Sequence, residues 1–446
     1  MWAMNKMAFS TARDFALTLD AADPLARYRA EFAQPEPALR YLDGNSLGRL
    51  PLKTAARLQE VIENEWGSDL IRGWNRGWYE APARIGDKIG QLVGAAPGQV
   101  VVSDSTSVNL YKLAHAALSL MATRRKIVTD SLNFPSDVYI LQGLVESSGL
   151  PLEIEILDGS PPEIQTLENP SFCGSKLVRE SKLPHSKISD AIDERTALVT
   201  LSHVVFKSGY LYDLAEITRR AHEKGALVLW DLSHSAGVVP IELDAWEVDF
   251  AVGCTYKYLN GGPGAPAFLY VNQRLQAEVV SPIWGWFGQT RPFDFSLDYA
   301  PAPGVARFLA GTPPVLSLLA IEPGVELILE AGIPAIRQKS VELTEYFIRL
   351  SDELLSRHGF TLGSPRESDR RGGHVSLRHP QGYRINRALI DELNVIPDFR
   401  EPDNIRFGFA PLYTSFEDVW ETVERLQRVM DSKLYEKYPE EKPAVT

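Results

Sequence analysis

At 446 residues, with 44% hydrophobic and 23% charged side chains, the chain has an ordinary globular composition. Its length exceeds what one hydrophobic core usually organises, so two cooperating domains are expected. The formal net charge of −12, without a basic stripe, argues against a nucleic-acid partner, because such binding needs clustered cations that displace phosphate counterions.

The opening "MWAMNKMAFSTARDF" carries Arg13 and Asp14 where a signal peptide needs an apolar core, and no run of about 18 apolar residues occurs in the chain. No membrane partner and a cytoplasmic location are expected. Cys173 and Cys254 form no CxxC pair, which suggests neither a disulfide framework nor a zinc knuckle, and no metal site is expected.

"QVVVSDSTSVNLYKLAHAALSLMA" predicts a strand ending near Ser103, a polar turn, and an amphipathic helix starting around Thr106 to Asn109. Free N–H groups at that helix start suit an anion such as phosphate, although taken alone the turn reads first as a plain Ser/Thr cap. "GSPPEIQTLENPSFCGSKLVRESKLPHSK" is polar and without period, and reads as a surface loop. "ALVTLSHVVF" predicts a strand; "DLAEITRRAHEKG" predicts a helix with Asp213 as N-cap and Gly225 past its end. "ALVLWDLSHSAG", "VDFAVGCTYKY" and "APAFLYV" supply further apolar strands. Strands alternating with helices predict an α/β fold with a mainly parallel central sheet covered on both faces. Beyond residue 310, "GTPPVLSLLAIEPGVELILEAG" and "AIRQKSVELTEYFIRLSDELLSRHG" read as long helices, followed by the short strands "GGHVSLRH" and "NIRFGFA". The expected organisation is an N-terminal segment (1–50) packing with the small domain, a large domain (51–309) and a smaller α+β C-terminal domain (310–446). The tail "YEKYPEEKPAVT" reads as disordered.

In an open α/β sheet, ligands gather outside the carboxyl ends of the strands. Thr106, Ser107, Ser202, Asp231, His234 and Lys257 each follow such an end, with Lys257 placed at the end of the next strand but one after Asp231. An Asp beside a Lys is by itself only an ion pair. A pyridoxal phosphate enzyme, however, needs a lysine for the cofactor aldehyde, a carboxylate to keep the pyridinium nitrogen protonated and a phosphate cradle at a helix start, and all three residue types are present. No GxGxxG follows a strand and no GxxxxGK[ST] exists, so dinucleotide and P-loop readings fail.

"YLDGNSLGRLP", "NFPSDVY", "WDLSHSAGVVPIELDAWEVDFAVGCTYKYLNGGPGAPAF", "GWFGQ", "FLAGTPPVLS" and "NIRFGFAPLYTSF" together resemble the kynureninase family, fold-type I pyridoxal phosphate enzymes related to class V aminotransferases. The resemblance spans about Tyr41 to Phe416. It implies hydrolysis of the small molecule L-kynurenine, or its 3-hydroxy derivative, to an anthranilate and L-alanine. It places pyridoxal 5'-phosphate on Lys257, with Tyr256 as phosphate contact and proton relay, Asp231 on the pyridinium nitrogen and His234 near the phosphate. It further implies Thr106 and Ser107 as phosphate turn, Phe134 as stacking ring, Asp137 and Ser202 as cofactor contacts, and Arg406 on the substrate α-carboxylate. Trp286 and Thr312 match phosphate ligands from a neighbouring subunit, so a homodimer with shared active sites is implied. Trp66, with Trp74 and Trp78, is a candidate to line the aryl slot, or else domain-interface packing. Trp66, Gly311 and Thr312 follow the bacterial pattern that favours the unhydroxylated substrate. Two departures stand out: Lys207 and Ser208 replace an expected acidic-aromatic-arginine run, which puts phosphate-side contacts in doubt, and the loop at 160–186 is long. A class V aminotransferase, a cysteine desulfurase and a non-catalytic cofactor-binding homologue remain open alternatives.

Overall fold

The computed structural model describes residues 8–159 and 184–440. Seven strands form the central sheet: β1 (Val100–Val102), β2 (Lys126–Asp130), β3 (Glu153–Leu157), β4 (Thr196–Ser202), β5 (Leu227–Asp231), β6 (Phe250–Gly253) and β7 (Phe268–Val271). Their spatial order is β1-β7-β6-β5-β4-β2-β3, with β7 antiparallel to both neighbours and every other pairing parallel. The segment Leu232–Asp249 forms no strand, so Lys257 follows the strand directly after Asp231 rather than the next but one; "SHSAGVVP" turns instead of extending.

Continuous apolar runs form these strands because both sheet faces are covered. Along β5, Leu227 and Leu229 enter one core while Val228 and Trp230 enter the other, the two-residue alternation of a pleated strand. One face lies under the helices Thr106–Leu120 and Pro135–Ser148, whose Leu110, Leu113, Leu141 and Leu144 are buried. The helix Leu214–Glu223 starts where its sequence places it: Asp213 accepts the Glu216 N–H at 2.9 Å, and Gly225 beyond its end has φ +69°.

A second, four-stranded antiparallel sheet has the order Asp398–Arg400, Asn404–Gly408, His374–Arg378, Thr361–Leu362. Its core joins Val375, Ile405 and Phe407 to Phe347, Val419 and Val423, and also takes Phe15 and Leu19 from the N-terminal helix Arg13–Ala21. Leu25, Tyr28 and Phe32 instead reach the large core, as do Leu318, Ile321, Val325 and Ile328 of the helices Val315–Leu319 and Ile321–Ala331. Residues 160–183 and Cys173 lie outside the described residues, but the expected loop ends early, since Pro184–Ala191 is helical. The tail is also more ordered than expected: Leu434–Lys437 turns, Tyr435 and Tyr438 pack on the second core, and Arg384 Nε donates to Tyr438 O at 2.7 Å. Residues 441–446 lie outside the described residues. No described helix is long and apolar enough to cross a membrane.

Candidate active site

Parallel strands carry their carboxyl ends to one side, and two cavities open there. The larger, about 510 Å³, is walled by Ser105–Ser107, by Gly264–Ala267 and by Leu309–Pro314. Ser105 caps the helix Thr106–Leu120 by accepting the Val108 N–H at 3.4 Å, and the first N–H groups of a helix have no intrahelical acceptor. The cradle faces this cavity and is suited to an anion. Asp104, in the left-handed region at φ +46°, turns the chain into it and is held by an ion pair to Lys112, which is buried and also donates to Phe308 O at 2.6 Å.

The second cavity, about 210 Å³, shares Thr106, Ser107 and Tyr256 with the first. Phe134, Asp137, Asp231, His234, Lys257 and Arg406 line it. Asp231 closes β5, and its Oδ1 accepts the Ser233 N–H at 2.9 Å. Lys257 Nζ lies 2.9 Å from His234 Nε2. Burial first, then the Lys257 charge, push the His234 imidazole well below its ordinary range, so it is neutral and accepts the lysine N–H. The structure thus sets His234 against the amine. His374, whose ring centroid is 5.6 Å from that of His234, is pushed down to about 3 by burial and then by Arg406.

Asp137 lies beyond Asp231, and burial, then the Asp231 charge, raise its carboxyl well above the usual range. Its Oδ2 is buried without a partner. A protonated heteroaromatic nitrogen would supply the missing cation beside these two carboxyl groups, while Lys257 offers an amine and Thr106 and Ser107 a phosphate cradle. The residues therefore fit pyridoxal phosphate. Phe134, at the start of Pro135–Ser148, is 44% exposed and meets Phe206 edge-on at 5.3 Å, leaving ring surface for a planar ligand. The Tyr256 phenol is pushed up by burial and stays protonated.

Arg406, 1% exposed, comes from the central part of the second sheet. Its Nη1 donates to Phe206 O at 2.5 Å, its Nη2 to Ser46 Oγ at 3.0 Å and to Asp398, and its Nε has no partner. Behind it sits Asp43, whose carboxyl is pushed up to about 6 by burial and then by Asp398. Below the ordinary value of 3.8 this group is protonated whether the chain is folded or not; as pH rises toward 6 only the folded protein keeps the proton, and the associated stability is lost. Asp43→Asn is accordingly expected to gain about 2–3 kcal/mol over the parent between pH 4 and pH 7, read as the difference between their urea-unfolding free energies.

Ser202 is brought to the sheet end but lines neither cavity; its N–H donates to Asn133 Oδ1 at 2.6 Å. Thr312 and Gly311 form the outer wall of the larger cavity. Trp286, 40% exposed, lines neither and stacks edge-on against Phe287 and Phe293. Trp66 is 56% exposed and also lines neither, whereas Trp74 packs between Trp78 and Phe287, next to the Trp286 loop. Lys207 is half-buried and absent from both linings; its neighbourhood reaches the site through the Phe206 carbonyl on Arg406. Sequence reasoning missed Asn45, Ser46, Ser136, Ser233 and Arg400, which share the smaller cavity. "DGNSLG" held the first two in plain view.

Residues 336–426 match the family described as the kynureninase C-terminal domain. The chain is 44% identical to a kynureninase of Pseudomonas fluorescens over 95% of its own length and 97% of the relative's. It is 42% identical to a kynureninase of Burkholderia pseudomallei (strain 1106a), over 95% and 96%. The fold of a cysteine desulfurase from Thermococcus onnurineus NA1, solved without ligand, superposes with a TM-score of 0.74 at 20% identity, covering 91% of this chain and 98% of that one. With a fold-type I architecture and near-full-length identity above 40%, the chain belongs to the kynureninase family.

Proposed function

We propose that Lys257, Asp231 and Arg406 carry out the kynureninase reaction, hydrolysing the Cβ–Cγ bond of L-kynurenine to anthranilate and L-alanine with pyridoxal 5'-phosphate as cofactor. The observation that carries this reading is that one cavity of about 210 Å³ holds the amine, the buried acid and the guanidinium together.

The bound cofactor supplies an electron-withdrawing ring that delocalises the charge left on substrate carbon when the bond breaks. Asp231 holds the proton on the ring nitrogen. Lys257 would hold the cofactor through its amine and, when that amine is free, would carry the proton taken from the substrate Cα. Neutral His234 takes a hydrogen bond from the lysine without competing for a positive charge. Tyr256 keeps its phenol proton available for the oxygen of the substrate γ-carbonyl as water adds. Thr106 and Ser107 hold the phosphate, Phe134 covers the ring, and Arg406 fixes the α-carboxylate. Exchanging Arg406 for Ala should raise KM for L-kynurenine about 100-fold with cofactor absorbance unchanged, since a charge-assisted contact is lost. Unaltered kinetics would remove it from the substrate site.

Trp286 is assigned to the site of a second subunit, and so is Thr312, which borders the larger cavity of its own chain at the same time. Trp286 lines neither cavity of its own chain and sits in an exposed apolar patch with Trp284, Phe293, Phe295 and Leu297, which a homodimer would cover. Trp66 is assigned to the aryl side of that shared site, preference for the unhydroxylated substrate to Gly311 and Thr312, and location to the cytoplasm. A desulfurase reading needs a reactive thiol, and among the described residues the one thiol, Cys254, is buried and pushed up. Incubation of the purified protein with L-kynurenine should release fluorescent anthranilate; cofactor absorbance without anthranilate would point to another amino-acid substrate.

A further inference from the structure

Asp398 and Arg400 stand two residues apart on one strand, hence on one face, and Arg406 is the direct cross-strand partner of Asp398. Asp398 Oδ2 forms an ion pair with Arg400 Nη2 at 2.9 Å and accepts a hydrogen bond from Arg406 Nη2. Both arginines line the smaller cavity. One carboxylate therefore serves two arginines, and donors are left over.

The leftover donors differ between the two. Arg406 has both terminal nitrogens engaged, with Phe206 O, Ser46 and Asp398, and only its Nε is left without an acceptor, so no pair of uncommitted terminal nitrogens remains for a two-point grip on an incoming carboxylate. Arg400 Nε is buried without an acceptor, and its Nη1 has only Phe399 O at 3.5 Å, too long for a sound bond. The Arg400 side chain is 35% exposed where that of Arg406 is 1%, so Arg400 retains room to reach a ligand. The Asn45 amide, fully buried in the same wall, also has both polar atoms unpartnered. Buried donors without acceptors are costly unless something arrives to satisfy them.

We propose that Arg400 is a second anchor for the substrate α-carboxylate, gripping it beside Arg406 while Asp398 holds the two guanidiniums side by side; this rests on the kynureninase reading of the same cavity. Arg406 forms the fixed floor of the subsite and Arg400 its adjustable wall. Arginine suits the second position because its planar fork leaves donors for the ligand after one is committed to Asp398, which an ammonium does not match.

Cofactor-loaded parent, Arg400→Gln and Arg400→Lys are compared with three probes: L-kynurenine by turnover, and L-alanine and kynuramine, the substrate without its α-carboxylate, by titration of cofactor absorbance. Arg400→Gln is expected to raise KM for L-kynurenine and Kd for L-alanine about tenfold or more, with kcat within about threefold and kynuramine binding unchanged; Arg400→Lys recovers part of the loss. Equal weakening of kynuramine, or no change with either carboxylate, overturns the proposal and leaves Arg400 as a counter-ion of Asp398. Should Arg400→Gln not fold, the lysine variant decides, by the same selective loss of L-alanine over kynuramine. A parent protein that binds L-alanine but cleaves no L-kynurenine would sink the kynureninase reading while the alanine titration still reads the subsite.

Discussion

Lys257→Ala is expected to fold, to lose the absorbance of covalently held cofactor, and to release anthranilate at least about 10³-fold more slowly than the parent, because a single nitrogen serves as both covalent anchor and proton carrier. Folding should survive because the backbone, not the side chain, fixes the loop. Asn260 N–H donates to Lys257 O and Gly261 N–H to Thr255 O, each at 2.9 Å, and Gly48 N–H donates to Tyr256 O at 2.8 Å. Gly48 lies so close that a Cβ there would stand 2.4 Å from Lys257 O, so the neighbouring segment clamps this turn without help from the amine. Two assays check the result: anthranilate fluorescence, and the absorbance retained after dialysis. Added methylamine should restore a fraction of turnover, which a collapsed site would not allow. Turnover within about tenfold of the parent would remove Lys257 from the chemistry.

The residues that made Lys257 legible are those whose position follows from local pattern. β5 and β6 read as apolar runs, and parallel strands necessarily deliver Asp231, His234 and Lys257 to the same edge. The Ser105–Ser107 turn was readable for a similar reason, since a strand and a helix of clear period bracket it. Arg400 and Asn45 were not, because their place depends on pairings far along the chain: Arg400 on the register that puts Asp398 opposite Arg406, Asn45 on residues 43–48 lying between the second sheet and the Lys257 turn. Ser202 shows the converse limit. Being at a strand end brought it to the right edge, but its neighbour Asn133 took up its N–H, and its side chain lines neither cavity. Trp66 and Trp286 lay beyond the reach of period altogether, since period says nothing of what a half-exposed aromatic that lines no cavity of its own chain will meet.

Asp231→Asn should keep its cofactor and lose about 10²–10⁴ in kcat, up to about 5 kcal/mol of transition-state stabilisation. The amide keeps the shape of the acid, and its Oδ1 can still accept the Ser233 N–H that orients Asp231, so the change is one of charge rather than position. Without that charge the ring nitrogen is no longer held protonated, and the ring accepts electrons poorly. Retention of cofactor follows because Lys257 and the Thr106–Ser107 cradle are untouched. The variant also alters its neighbour. Asp231 is, after burial, the next largest influence raising the Asp137 carboxyl, so its removal lets Asp137 ionise at lower pH than in the parent. An ionised Asp137 would stand in, incompletely, as the acid facing the ring, so the residual kcat of Asp231→Asn should rise with pH through that ionisation. Asp231→Asn/Asp137→Asn should lose both the residual rate and its pH dependence. The test is kcat against pH for the two variants under saturating L-kynurenine. A flat and equal residual rate in both would mean that Asp137 takes no part, and an undiminished kcat in Asp231→Asn would mean that the buried acid is structural.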